Sequence, residues 1–391
     1  MAIKNLDKAV ERVIAAAKNQ EKIIIYGDSD MDGAISTLIL KEVFEYLNSF
    51  YLEEENLKVY FPDRESEGYG INKKALQKLA SFAPALFFSL DCGVTNIAEI
   101  ELAKQMGFEV VVIDHHQIID RAPDALVVDP HQPGDEHPFK QFANAGLVLR
   151  LAQLIVKDEQ ILKDFGALAA LASIGDKVPE AGENKEIIEV GMSNLDAIHR
   201  IGYQMLCDSQ DFRNKNRDEL GQKIINPLNR ASHINNINQS FLLLTSKDQN
   251  VCQKICQKLI EESQKKLEEK RKVTDQVNQR IINRDGQVDE AIFEGDKYWD
   301  LIALGSAASD LVNKYNKPVF LFKIGSEESI GSARLPSKAN GVKALESCQQ
   351  YLTTYGGHPP ACGFRFKNEN MEQVGKGLLE YFKNNPIEKN E

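Results

Sequence analysis

Short, unbroken apolar runs that alternate with helical patterns set the strongest limit on how this chain can fold. The run Ile23-Ile24-Ile25-Tyr26 leads straight into Gly27-Asp28, and a continuous apolar run of this length is how a parallel strand buried on both faces reads. Similar runs recur over 58–61, 86–90, 110–113 and 126–128, after an amphipathic opening helix built on Leu6, Val10, Val13 and Ile14. Helical patterns over 34–47 and 97–106 separate them. Such alternation predicts βαβ units and an α/β fold with a parallel sheet. From about Leu195 helical segments take over, including a stretch over 250–282 with Ile255, Leu259, Val273, Val277 and Ile281 at its apolar positions. The remaining positions there mix acids with bases, so it reads as a solvated connecting helix. A second α/β pattern begins near Val288 and contains the strand-like run 318–322.

The chemistry collects where the strands end. The first closes in Asp28-Ser29-Asp30-Met31-Asp32-Gly33, the third in Asp91-Cys92-Gly93 and the fourth in Asp114-His115-His116. Alternate residues of an extended segment point the same way, so Asp28, Asp30 and Asp32 converge if that segment stays extended. A calcium loop would need a bidentate glutamate at its twelfth position, which here is Ile39, and that reading fails. One aspartate at a strand end is often only a cap or turn residue. Three strand ends carrying Asp or His place a polar cluster in one crevice, because ligands of doubly wound sheets gather at the carboxyl ends of strands. Carboxylates with imidazole suit Mn²⁺ or Mg²⁺, and two such ions would serve phosphodiester or phosphoanhydride hydrolysis. Asp176, after a strongly apolar helix, is placed to complete the shell.

Composition narrows the class. With 47 Lys and Arg against 58 Asp and Glu the net charge is -11, which argues against a protein that coats duplex DNA but suits a site built from carboxylates. Six cysteines without a CxxC pair oppose a zinc ribbon or a disulfide framework. No run approaches the ~20 apolar residues of a membrane span. A soluble, cytoplasmic protein of more than one domain, without a membrane partner, is expected.

These residues carry a family resemblance. Asp114-His115-His116 resembles the triplet that names the DHH phosphoesterases, and the segments at 28–33 and 91–93 resemble its two upstream motifs. Pro62-Asp63-Arg64, Glu67-Gly68-Tyr69-Gly70-Ile71-Asn72, Asp129-Pro130-His131-Gln132-Pro133, Ala145-Gly146 and Ile174-Gly175-Asp176 are similar to the RecJ branch of that family. Gly331-Ser332-Ala333-Arg334 and Gly356-Gly357-His358 resemble its associated C-terminal domain. The resemblance implies a parallel-sheet DHH domain over 1–195, a helical connector over 196–285 and a smaller C-terminal α/β domain over 286–391, with a cleft between the domains. It implies two Mn²⁺ or Mg²⁺ ions held by Asp30, Asp32, Asp91, His115, His116 and Asp176, with Asp28 in or beside the shell, and a catalytic centre at Asp91, Asp114, His115 and His116. Arg334, Ser332, Gly356, Gly357 and His358 would hold the substrate phosphate, with Asn229, Arg64 and Tyr69 along the strand's path. The implied activity is exonuclease digestion of single-stranded DNA or RNA from the 5' end, in repair and recombination, beside replication or repair proteins.

Two departures from the RecJ pattern stand out. Tyr26 occupies a position where bacterial members carry histidine, so one ion is expected to lose an imidazole and to depend more on Asp28. The extra C-terminal β-barrel is also missing from the pattern, and weaker grip on single strands is expected. Within the family, a phosphodiesterase for nano-RNA, 3',5'-bisphosphate nucleotides or cyclic dinucleotides is the alternative. Outside catalysis, the alternative is an inactive scaffold of the replication machinery.

Overall fold

In the computed structural model, residues 3–48, 56–64, 66–213, 216–230, 233–284, 286 and 288–387 are described. They fall into two units, Met1–Glu261 and Glu262–Glu391. Five parallel strands form the sheet of the first unit: β1 (Ile23–Gly27), β2 (Leu57–Tyr60), β3 (Ala85–Leu90), β4 (Phe108–Ile113) and β5 (Leu126–Val128), in the order β2-β1-β3-β4-β5. Successive side chains of a strand point to opposite faces. Ile23, Ile25, Leu86, Phe88, Val111 and Ile113 therefore pack with the helices Leu6–Lys18, Met31–Asn48, Asn144–Ile155 and Glu159–Asp176. Ile24, Tyr26, Phe87, Val110 and Val112 pack on the other face with Lys73–Leu79 and Ile97–Gln105. Both faces are covered, which explains why the strands read as unbroken apolar runs.

The helices beyond 195 also feed the first core. Leu206, Leu220, Ile224, Leu228, Leu243, Cys252 and Leu259 are buried in the same cluster as Ile25 and Phe88. Among them, one short antiparallel ladder pairs β6 (His233–Ile234) with β7 (Ile237–Asn238). The helix Gln249–Ile282 begins in the first unit and ends in the second, where Val273, Val277 and Ile281 are buried.

The second unit is built on a mixed sheet of β8 (Ile292–Asp296), β9 (Val319–Ile324), β10 (Glu328–Arg334), β11 (Thr354–His358) and β12 (Ala361–Lys367), ordered β11-β12-β10-β9-β8. Only β8 and β9 run parallel. Phe320, Phe322, Phe364 and Phe366 face the helix Met371–Asn384, while Val319 and Leu321 face Trp299 and the helix Leu301–Tyr315. No described helix is long and apolar enough to cross a membrane.

Candidate metal centre

The sheet's own hydrogen bonding carries the acidic residues into place. Beyond the last residue of each strand the ladder runs one rung further: Asp28 N donates to Leu90 O at 3.0 Å, Asp91 N to Ile113 O at 3.0 Å and Asp114 N to Val128 O at 3.1 Å. The next strand after β1 in sequence lies on one side of it and β3 on the other, so a crevice opens at this switch point, outside the carboxyl ends of the strands.

The donors form three overlapping groups, each with its ligand atoms within 4.8 Å of one another: Asp28, Asp30 and Asp91; Asp91, His115 and His116; and Asp32, His115 and Asp176. Asp91 and His115 each belong to two. An extended segment is not what gathers Asp28, Asp30 and Asp32, because a helix begins at Met31. Asp32 sits in that helix's first turn and joins a different group from Asp28 and Asp30. Its two oxygens accept from the amides of Asn144 at 2.6 Å and Ala145 at 2.8 Å, at the start of another helix, where the free N–H groups and the dipole favour an anion.

Asp91 has φ 62, a left-handed conformation that aspartate tolerates better than most residues and that recurs at functional sites. Its turn is tied down by Ser89 Oγ, which donates to Cys92 O at 2.6 Å, and by Gly93 at φ 124. Asp114 is buried behind the cluster. It accepts from the amides of Val94 (3.1 Å), His115 (2.8 Å) and His116 (3.2 Å), and it lies 2.7 Å from His116 Nδ1. That leaves His116 Nε2 for a ligand, so Asp114 orients an imidazole, the usual partner of a metal-binding histidine. His115 Nε2 lies 3.1 Å from Asp91, 4.0 Å from Asp32 and 3.9 Å from Asp176, while the Phe142 backbone works to raise the ring's pKa.

The electrostatics call for cations. Burial and like-charged neighbours hold Asp32 and Asp91 well above the ordinary carboxylate range, and burial with Asp30 pushes Asp176 up to about 6. Burial and Asp30 raise Asp28 against the opposing pull of Arg64. His115 is pushed down to about 4 by burial and by His116, and His116 is raised to about 9 by its hydrogen bond to Asp114. Burial works to raise Asp114, yet His116 and the Val94 amide hold it below its usual value. Asp28 Oδ1 is buried and takes no hydrogen bond among the described residues. A set of carboxylate and imidazole donors with such an oxygen fits hard divalent ions.

Arg64 pairs with Asp28, lies 3.4 Å from Asp30 and stands 5.0 Å over the exposed ring of Tyr69. Tyr26 spends its hydroxyl on the 70–72 segment. Its hydroxyl donates to Gly70 O at 2.8 Å and accepts from Asn72 Nδ2 at 3.2 Å, and its ring stacks on Tyr60. Asn229 caps the short helix Asn226–Leu228, which continues from a π-helical turn, Gly221–Ile225, and comes close to the Asp176 end of its helix: a Cβ on Gly175, beside Asp176, would lie 3.1 Å from its Nδ2 and 2.2 Å from Met31 Cε.

The remaining predicted residues meet in the second unit. In register, Arg334 faces Ala361 and Ala361 faces His358; one row on, Ser332 faces Gly363 and Gly363 faces Gly356. Gly357 has φ 129. Arg334 donates to Ser332 Oγ and to Ala333 O, and among the described residues no carboxylate pairs with it; burial lowers its pKa. A guanidinium beside a hydroxyl on a floor of glycine and alanine is suited to an anion. The sequence reading passed over Gly363, which alternates in β12 with buried Cys362 and Phe364. It also passed over the amide of Asn144 and the backbone of Phe142, main-chain groups that leave no signature in side-chain identity.

Comparison with known proteins agrees with this architecture. The model of the DHH family, N-terminal domain, matches residues 22–174, and that of the DHHA1 domain matches 287–384. The chain is similar to the single-stranded-DNA-specific exonuclease RecJ of Bacillus subtilis, with 29% identity covering 97% of this chain and 48% of that protein. It is similar to the protein of the same description from Thermus thermophilus, with 26% identity covering 93% and 52%. It thus spans about half the length of these curated relatives. A crystal structure of exonuclease RecJ bound to manganese shares its fold, with TM-score 0.77 and 24% identity over 97% of this chain and 95% of that one.

Proposed function

This chain belongs to the DHH family, and from that premise we propose that it is a divalent-metal-dependent exonuclease that shortens single-stranded DNA from the 5' end. The observation that carries the reading is the overlap of the donor groups on Asp91 and His115, which suits two neighbouring ions with Asp91 between them. Asp28, Asp30, Asp32, Asp91, His115, His116 and Asp176 would hold Mn²⁺ or Mg²⁺, and Asp114 fixes the tautomer and aim of His116. Ions bound there would polarise the phosphoryl group and supply an activated water at neutral pH. The chain's own groups would supply the rest: in the second unit Arg334, Ser332 and the Gly356-Gly357-His358 end of β11 would neutralise and orient a phosphate, and in the first Arg64 with Tyr69 would line the approach to Asp28. The RecJ relatives act on single-stranded DNA by their description, and a role in repair and recombination follows from the same likeness.

Linear and circular single strands and a blunt duplex, labelled at either end and incubated with Mn²⁺, Mg²⁺ or chelator, test this. Mononucleotides should leave linear strands in the presence of metal, the 5' label first, with circle and duplex intact. Prompt cleavage of the circle, or no metal-dependent hydrolysis of any single strand, defeats the reading.

A further inference from the structure

We propose that Leu301 and Ile302 seat a nucleobase whose phosphate is held at Arg334 and Ser332, a substrate contact that rests on the nuclease reading and adds a base-binding surface to it. The helix Leu301–Tyr315 lies against the face of β10 that carries Ser332 and Arg334. A Cβ on Gly305 would stand 2.9 Å from Arg334 Nη2 and 3.3 Å from Ser332 Oγ, so the guanidinium rests on the helix backbone at that glycine. Leu301 and Ile302 precede Gly305 by four and three residues. Helix positions at those spacings are neighbours on one face, about 5–6 Å apart. Two aliphatic side chains therefore stand one turn from the guanidinium.

Their exposure sets them apart from the rest of the helix. Leu301 is 44% and Ile302 53% exposed, whereas Ala303, Leu304, Ala307, Ala308 and Leu311 are all buried. A single exposed aliphatic residue needs no explanation. Two side by side, one turn from an arginine that no described carboxylate neutralises, match a ligand that joins an anion to a flat apolar body at short range. A nucleotide has that chemistry. Tyr298, 69% exposed beneath the Lys297 ammonium, extends the apolar surface at the same end of the helix.

The test compares binding of a deoxynucleoside 5'-monophosphate with deoxyribose 5-phosphate, which lacks the base, by calorimetry in chelator. The wild-type chain should favour the nucleotide by about tenfold, the yield of burying part of two aliphatic side chains. The double variant Leu301→Ser/Ile302→Ser should erase that preference while still binding the sugar phosphate, and Arg334→Ala should weaken both ligands. Since both serines replace exposed groups, an unchanged melting temperature certifies the fold. A double variant that keeps the preference overturns the proposal. So does a wild type without one, or a substitution whose sole effect is on oligomeric state, which would make the patch a protein contact. The nuclease reading is judged separately, by hydrolysis of linear strands: it can fail while the nucleotide preference stands, and it can hold while the preference is absent.

Discussion

Replacing Asp91 by asparagine should make the metal-free protein more stable and, in the same stroke, blind it to metal. Asp91 is buried beside Asp28 and the half-exposed Asp30, its ligand atom within 4.8 Å of theirs. At an effective dielectric of about 20, one neighbouring unit charge at that range costs about 3 kcal/mol, part of which the cluster relieves by taking up protons. Asparagine keeps the shape, tolerates φ 62 as well as aspartate does, and its amide can donate to His115 Nε2, 3.1 Å from the present carboxylate oxygen. A net gain of about 2 kcal/mol at pH 8 follows, or roughly 5 °C for a unit of this size. The sign with pH is fixed by linkage. The folded-state pKa of Asp91 is raised by burial and by Asp32, Asp30 and Asp28, so its contribution is intact below the unfolded value near 4 and is lost as pH climbs through the folded value. The variant's advantage should therefore grow from pH 4 upward. Thermal melts in chelator across that range measure it, and melts with Mn²⁺ should raise wild type well above the variant. Equal stability of the two at pH 8 in chelator, or equal stabilisation by Mn²⁺, would refute the reasoning.

Arg64→Ala should cost the metal-free protein about 2 kcal/mol, because it strands the buried Asp28 carboxylate, and the deficit should shrink at saturating Mn²⁺ in the same melts. Tyr26→Phe should cost about 1 kcal/mol through the lost bond to Gly70. It should leave Mn²⁺ affinity by calorimetry unchanged, since that hydroxyl is spent on the 70–72 segment. Gly175→Ala should cost no more than about 1 kcal/mol, since the added Cβ meets Met31 Cε at 2.2 Å, the tip of a flexible side chain, while the helix gains from alanine; urea unfolding checks this. Arg334→Ala should raise the KM for single strands about tenfold with little change in kcat, the pattern of lost uniform binding.

Much of this was legible because strand periodicity and strand-end chemistry are local. The runs at 23–26, 86–90 and 110–113 needed no partner to be read as buried strands, and the residues at their ends follow once the strands lie side by side. What escaped was set by contacts distant in the chain. Nothing near Asp32 announces that the amides of Asn144 and Ala145 will hold it, and nothing near Tyr26 announces that Gly70 will take its hydroxyl. Helix and charge patterns gave 196–285 the look of a connector, while the burial of Leu206, Leu220 and Leu243 within it depends on helices from the first 176 residues.

The extra rungs at Asp28, Asp91 and Asp114 have a kinetic meaning. Their amides are members of the central sheet, so hydrogen exchange there should require the opening that frees Leu90, Ile113 and Val128, the slowest class of event in such a domain. Chelation would then empty the site without loosening its frame. Ions would return to donors whose backbone is already in position, and reactivation after chelation should proceed at the pace of ligand exchange around the ion, not at the pace of refolding.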